Sequence, residues 1–260
     1  MEVFSMRLLL IRHGDPNYEL DCLTEKGRKE AALLAEDIEK WDVGTVYLSP
    51  MRRAQQTASF SLRKLSIRAE TLPWLREFDH SVDVNGCPEL IEAYPSSRLD
   101  PLTNKYTLRI PWDLLPRYKA EHPELYDKEG WRHSDIAVHS GITENYDYLI
   151  SRFDALLKEH GYERWKSIYK VNQRNEETVT FFCHLGMTNA ILSHLFNVSP
   201  FALWDNICFP SCAITELVTE EREEGYANFK AVRIGESAHL LKANEPFGSS
   251  AMFPTSYYKK

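Results

Sequence analysis

Thr178–Cys183, the run TVTFFC, limits more than any other stretch what this chain can fold into. It is built of β-branched, aromatic and apolar residues with no in-and-out alternation. Such a strand must be covered on both faces, which places it in a sheet with helices on either side. Arg7–Arg12, within MRLLLIR, has the same character. Between and after these runs lie segments of helical period. Leu23–Lys40 repeats Ala31, Leu34, Ala35 and Ile38 on one face, with Thr24 as its N-cap. Gly44–Leu48 is a short strand, and Ser49-Pro50 after it is the N-cap and first-turn proline expected of a helix running to about Leu65. Ile67–Leu72 is a third strand candidate. Gly141–His160 and Gly186–Phe196 are further helices, and Ala213–Thr219 and Phe229–Ile234 are strands joined by EEREEG. The alternation predicts a three-layer α/β/α sandwich around a mostly parallel sheet. One antiparallel edge strand is expected, because the last two strands are separated by a turn rather than a helix.

Asp79–Ala137 breaks this pattern. It holds six of the thirteen prolines (88, 95, 101, 111, 116 and 123), together with Trp112, Trp131, Tyr94, Tyr106, Tyr118 and Tyr126, and no sustained period. Such aromatic content is wrong for a disordered linker, so the segment is expected to be an inserted cap or lid, 79–137, in a core made of 1–78 and 138–260.

With 31 basic and 38 acidic residues the chain carries a net charge of −7. That disfavours a nucleic-acid surface or an anionic membrane as partner, and means that an anionic substrate needs a local basic pocket. Runs such as Leu8–Ile11 are too short to cross a bilayer, and the amino terminus lacks the composition of a secretory leader, so a cytoplasmic location is expected. The five cysteines (22, 87, 183, 208 and 212) contain no CxxC pair and are expected to be reduced thiols; no metal site is expected.

Arg12-His13-Gly14 stands where the first strand ends, and His184 stands directly after TVTFFC, before a helix. In an open α/β sheet the crevice beyond the strand C-termini is where ligands bind. Arg53, in the first turn of the helix after the second strand, comes to the same edge. Guanidinium forks match phosphate oxygens, and a neutral imidazole can attack phosphorus, so this set suits phosphoryl transfer. A rival nucleophile is Cys22, which with Arg28 fits the C-x5-R spacing of cysteine phosphatases. Cys22 follows the polar NYELD rather than a strand, and the rival is rejected on that ground.

Taken in order, RHG (Arg12–Gly14), LTEKG (Leu23–Gly27), SPMRRAQQTA (Ser49–Ala58), LREF (Leu75–Phe78) and a His at a strand end resemble the histidine phosphatase superfamily, which includes the cofactor-dependent phosphoglycerate mutases. The late FPSCAITELV and Ala238-His239-Leu240 also resemble that fold. The resemblance covers Arg7–Phe78 and Gly141–Leu240 and implies Arg12, His13, Arg53 and His184 as core residues. Arg53 is preferred to Arg52 because RAxxTA aligns on Arg53–Ala58, and because successive helix positions diverge by about 100°. Glu77 matches the family's acid, with Asp79 and His80 as rivals. Asn17 is a candidate phosphate contact, and equally a turn former after Pro16, in a loop shorter than the family's that carries proline in place of a hydroxyl. The family's glycine- and tryptophan-rich mutase stretch is replaced by DHSVDVNGCPE.

What the resemblance implies is a metal-independent and cofactor-free phosphatase that hydrolyses a small phosphomonoester through a phosphohistidine on His13. Arg12, Arg53 and protonated His184 would hold the phosphoryl oxygens, and Glu77 would act as acid and then base. A phosphoglycerate mutase-like isomerase and a non-catalytic phosphoester-binding regulatory protein are the alternatives.

Overall fold

In a computed structural model of the chain, residues 5–78, 82–94, 98–108 and 110–248 are described. Along the chain, β1 (Arg7–Arg12) is followed by a small hairpin, β2 (Pro16–Asn17) and β3 (Cys22–Leu23), and by α1 (Glu25–Asp37). Next come β4 (Thr45–Leu48), α2 (Arg52–Leu65) and β5 (Glu70–Thr71). The middle of the chain holds β6 (Val82–Asp83), α3 (Pro88–Ala93), β7 (Arg98–Asp100), β8 (Lys105–Leu108), α4 (Pro116–Glu121), α5 (Asp135–Val138) and α6 (Ile142–Glu159). The last part contains β9 (Tyr162–Trp165), β10 (Ile168–Val171), β11 (Thr178–Cys183), α7 (Leu185–Phe196), α8 (Pro200–Trp204), β12 (Ile214–Glu223), β13 (Tyr226–Glu236) and α9 (Ala238–Lys242).

The chain divides into two compact units. The first comprises residues 1–77, 157–188 and 208–260. Its sheet has eight strands in the order β5-β4-β11-β1-β12-β13-β10-β9. Strands β5, β4, β11 and β1 run parallel, with Arg12 opposite Cys183 and Leu48 opposite Phe182. The α/β fold expected from the alternation is present, a large sheet flanked by helices. The antiparallel part is longer than the one edge strand expected: β12 pairs antiparallel with β1, and β13, β10 and β9 continue it. Tyr162–Val171 lacks the apolar run that announces a strand; β9 and β10 form as a hairpin whose β10 arm pairs with β13.

The periodicities have the expected physical outcome. Leu9 and Ile11 of β1, Val46 and Leu48 of β4 and Phe182 of β11 form one buried cluster with Ala31 and Leu34 of α1 and Ala58 of α2. Leu8, Leu10, Val179 and Phe181 point the other way and are buried as well, as a strand covered on both faces requires. Thr24 caps α1, its hydroxyl accepting the Gly27 N–H.

The start of α2 corrects the sequence expectation. Ser49 and Pro50 lie outside the helix, which begins at Arg52 with Met51 as N-cap residue. The Ser49 hydroxyl accepts the Met51 N–H and is also bonded to a histidine, described below, so it is taken up before the helix begins.

The second unit comprises residues 78–156 and 189–207. It holds the three-stranded sheet β6-β8-β7 and an aromatic core. Trp131 packs on Tyr146 and Phe201, and Trp204 packs on Phe78, Trp112 and Phe201. Lys119 and Tyr126 both bond the Asp205 carboxylate. These contacts carry the unit beyond the expected 79–137, to include most of α6, α7 from Asn189 onward and all of α8. Among the described residues no helix is long and apolar enough to cross a membrane.

Candidate active site

Every residue of the candidate site belongs to the first unit. β1, β11 and β4 lie side by side and parallel, so the residues that follow them emerge at one edge of the sheet: His13, His184 and Ser49. The backbone continues the pairing one step further, His13 N–H donating to the Cys183 carbonyl and Ser49 N–H to the Phe182 carbonyl. Arg12, His13, Arg53 and His184 are all buried, with exposures of 1%, 1%, 4% and 0%.

Gly14 is required by close packing. A Cβ there would meet the Gly27 carbonyl oxygen at 2.6 Å, and one on Gly27 would meet the Asp15 oxygen at 2.2 Å. The turn after His13 therefore rests directly on the first turn of α1. Gly14 N–H also donates to Thr57 Oγ1 (2.9 Å), and Thr57 Oγ1 donates to the Arg53 carbonyl (2.8 Å), so α2 and the His13 turn are pinned together.

This geometry sets the tautomer of His13. Nδ1 lies 2.7 Å from the Gly14 carbonyl, which can only accept, so the ring proton is on Nδ1. Nε2 is left with its lone pair, and Arg53 Nε–H donates to it at 3.2 Å. Burial, then the Arg12 and Arg53 guanidinium groups, hold the His13 pKa well below 6.5, against a smaller opposing effect of the Gly14 carbonyl. A neutral imidazole with its free electron pair turned into a cationic pocket is the form a nucleophile needs.

His184 faces it, the two ring centroids 5.1 Å apart. Its Nε2 lies 2.7 Å from Ser49 Oγ. Its pKa is also well below 6.5, mainly through burial, with His13, Arg53, Arg12 and Arg76 adding repulsion. The shift disfavours the protonated His184 expected from the sequence, which needs a negative charge beside the ring. Arg12 donates from Nη1 to the Phe209 carbonyl at 2.6 Å, fixing its guanidinium beside His13.

Glu77 is half-buried. Its Oε1 accepts the Met187 N–H, in the first turn of α7, at 3.0 Å. His13, Glu77 and His184 offer ligand atoms within 4.8 Å of one another, a spacing that could hold a metal ion. The two neighbouring guanidinium groups oppose a cation there and favour an anion.

Asn17 lies on β2 of the hairpin that follows His13. Its Oδ1 accepts the N–H groups of Glu19 and Leu20 at 3.1 Å each, the bonding of a turn former. The rivals Asp79 and His80 lie outside the described residues. Cys22 lies on the β2–β3 hairpin, and burial pushes the thiol of Cys183, next to His184, up to about 12. His239 of the late motif sits on α9, away from the edge where the strands end.

Sequence reasoning missed three residues at this site. Ser49 was assigned to helix capping, and Thr57 was noted only as part of a motif. Asp21, whose carboxylate bonds Arg53 Nη1 at 2.6 Å, gave no signal beyond its place before Leu23-Thr24.

The family model of the histidine phosphatase superfamily (branch 1) matches residues 8–117. That match runs on past Glu77, beyond the point where the short motifs end. No curated protein sequence matches the chain. Among solved structures, a phosphoserine phosphatase from Entamoeba histolytica in complex with 3-phosphoglyceric acid aligns at 15% identity and a TM-score of 0.54, covering 90% of this chain and 99% of that one. The mycobacterial glucosyl-3-phosphoglycerate phosphatase with inorganic phosphate aligns at 19% identity and a TM-score of 0.52, covering 90% and 98%. Mycobacterial hydrolase 2 aligns at 18% and 0.54, covering 92% and 97%. At these identities the likeness is one of fold.

Proposed function

We propose that the chain is a member of the histidine phosphatase superfamily, whose family model matches residues 8–117, and that it is a phosphoric monoester hydrolase acting through a phosphohistidine on His13. The observation that carries this is the His13 ring, with Nδ1–H held by the Gly14 carbonyl and the Nε2 lone pair turned toward Arg53. That its structural relatives include phosphatases of small phosphorylated metabolites supports a substrate of the same class.

As a phosphomonoester enters, Arg53 Nε–H leaves His13 Nε2 for a phosphoryl oxygen, and Arg12 and His184 take others. Nε2 attacks phosphorus in line, the P–O bond to the leaving group breaks, and Glu77 gives that oxygen its proton. Glu77, now a carboxylate, takes a proton from water. The resulting hydroxide attacks phosphorus, the P–N bond breaks, and inorganic phosphate leaves with His13 neutral again. The dianion supplies the negative charge that favours protonation of His184 during the cycle. Two guanidinium groups and the histidines neutralise the phosphoryl charge, so the reaction has no need of a metal ion.

The segment 79–137 is the natural source of specificity, because it follows the proposed acid Glu77 directly in the chain.

Labelled p-nitrophenyl phosphate, quenched in acid and in alkali, tests the mechanism. The expected phosphoenzyme is acid-labile and alkali-stable, absent in His13→Ala, and formed equally with a chelator present. A phosphoenzyme that survives acid, or turnover that a chelator stops and a divalent ion restores, would overturn it. Return of the phosphoryl group to another hydroxyl of the product, rather than to water, would assign the isomerase alternative instead.

A further inference from the structure

The loop after His13 has a structure of its own. It folds as a hairpin with Pro16 opposite Leu23 and Asn17 opposite Cys22. Asp21 ends the turn, just before β3, with a left-handed φ of 45°, a conformation few non-glycine residues adopt. Both of its carboxylate oxygens are engaged with α2. Oδ2 accepts the Arg52 N–H at 2.8 Å, the first N–H of a helix that has no side-chain cap from its own N-cap residue. Oδ1 accepts from Arg53 Nη1 at 2.6 Å. From the same hairpin, the Tyr18 ring lies 5.5 Å from the Arg53 guanidinium carbon.

At its other end the same guanidinium donates from Nε to His13 Nε2. We propose that Asp21 is a positioning residue for phosphoryl transfer: anchored on the N-terminus of α2, it holds Arg53 so that Nε meets His13 and the remaining N–H groups are presented to the phosphoryl oxygens. The proposal rests on the phosphatase reading of this site.

Three considerations support it. A guanidinium has five N–H donors; one stays on Asp21, which leaves four for an incoming anion once Nε–H moves from His13 to a phosphoryl oxygen. Arginine is long and loses much rotamer freedom on fixing, so a carboxylate that fixes it beforehand removes that cost from substrate binding. A carboxylate at a helix N-terminus is itself favourably placed, so the anchor is stable. The opposing effect is repulsion between Asp21 and the phosphate. The Asp21 side chain is 37% exposed, so water screens that repulsion to roughly fivefold in affinity. Misplacing a catalytic group by an ångström costs up to about a hundredfold in rate, and the positioning effect therefore dominates.

Asp21→Ala and Asp21→Asn test the proposal in the full-length chain. Calorimetry reads the affinity for inorganic phosphate, nitrogen NMR reads the titration of the His13 ring, and p-nitrophenyl phosphate reads kcat and KM. In Asp21→Ala, kcat is expected to fall roughly ten- to a hundredfold, and phosphate to bind less tightly. His13 should titrate higher, because Nε2 loses the N–H that stabilises its neutral form. Asp21→Asn keeps an acceptor for Nη1 and is expected to restore most of each loss. Tighter phosphate binding and undiminished turnover in Asp21→Ala would make Asp21 a competitor of the substrate and overturn the proposal. A lower melting temperature with phosphate affinity and His13 titration unchanged would reduce it to a cap of α2, and overturn it equally. Phosphate binding and His13 titration need no turnover. If the wild type hydrolyses no phosphomonoester the phosphatase reading fails, while these two measurements still decide the role of Asp21.

Discussion

Ser49 Oγ lies 2.7 Å from Nε2 of His184, joining residues 135 positions apart in the chain. The same oxygen accepts the Met51 N–H, so the hydroxyl is oriented from the backbone and in turn orients the ring. Both side chains are fully buried. Ser49→Ala should leave His184 free to turn and lower kcat roughly tenfold, while Ser49→Thr, which keeps the hydroxyl, should retain more activity. Steady-state kinetics on both variants checks this; equal activity of wild type and Ser49→Ala would show that the bond is structural.

Arg52 and Arg53 are adjacent but differ in exposure: Arg53 is 4% exposed against His13, whereas the Arg52 side chain is exposed. Arg53→Ala is expected to lower kcat about a hundred- to a thousandfold, the effect of removing a donor that stabilises transition-state charge. Arg52→Ala should change KM by well under tenfold, and less at high salt, since it acts only through screened attraction. Kinetics of both variants at two ionic strengths distinguishes the roles. A larger, salt-independent loss in Arg52→Ala would contradict the register of α2.

The approach of Gly14 to Gly27 leaves no space for a methyl group, and what lies in the way is backbone. Gly14→Ala should therefore force the His13 turn away from α1. Destabilisation of roughly 2–4 kcal/mol is expected, with activity reduced further than stability alone explains. Urea unfolding and kcat of the variant provide the two readings. Near-wild-type values for both would mean that the turn can open without consequence.

His239 gives the protein a specific acid sensitivity. Burial lowers its pKa from 6.5 to about 4, and its Nε2 has no partner among the described residues. The unfolded chain takes up this proton below about pH 6.5, whereas the folded chain resists it until near pH 4. The stability that depends on a neutral His239 is therefore complete above pH 6.5 and lost as the pH falls toward 4, in total about 3 kcal/mol. The buried His13 and His184, also shifted downward, act in the same direction. Urea unfolding between pH 7 and pH 4 should show a shallower loss in His239→Gln than in wild type. Parallel curves would mean that His239 is accommodated without a proton penalty.

The residues alone mark TVTFFC and RLLLIR as strands covered on both faces, with His13 and His184 directly after them. They also show that Arg53 follows a third strand by one helical step. These are local facts: side-chain period, a strand end and a turn lie within a few residues of one another, and apolar burial enforces them wherever the chain goes. Which strands are neighbours, and hence that residues 13, 49 and 184 share an edge, is settled by the folded chain. There Ser49 orients His184 rather than capping α2, Asn17 serves its own turn, and Asp21 meets Arg53. There too β9 and β10, without a strand signature, extend the sheet. Each of these depends on a partner far along the chain, and a polar side chain of given type carries no mark of which distant group will satisfy it when both are buried.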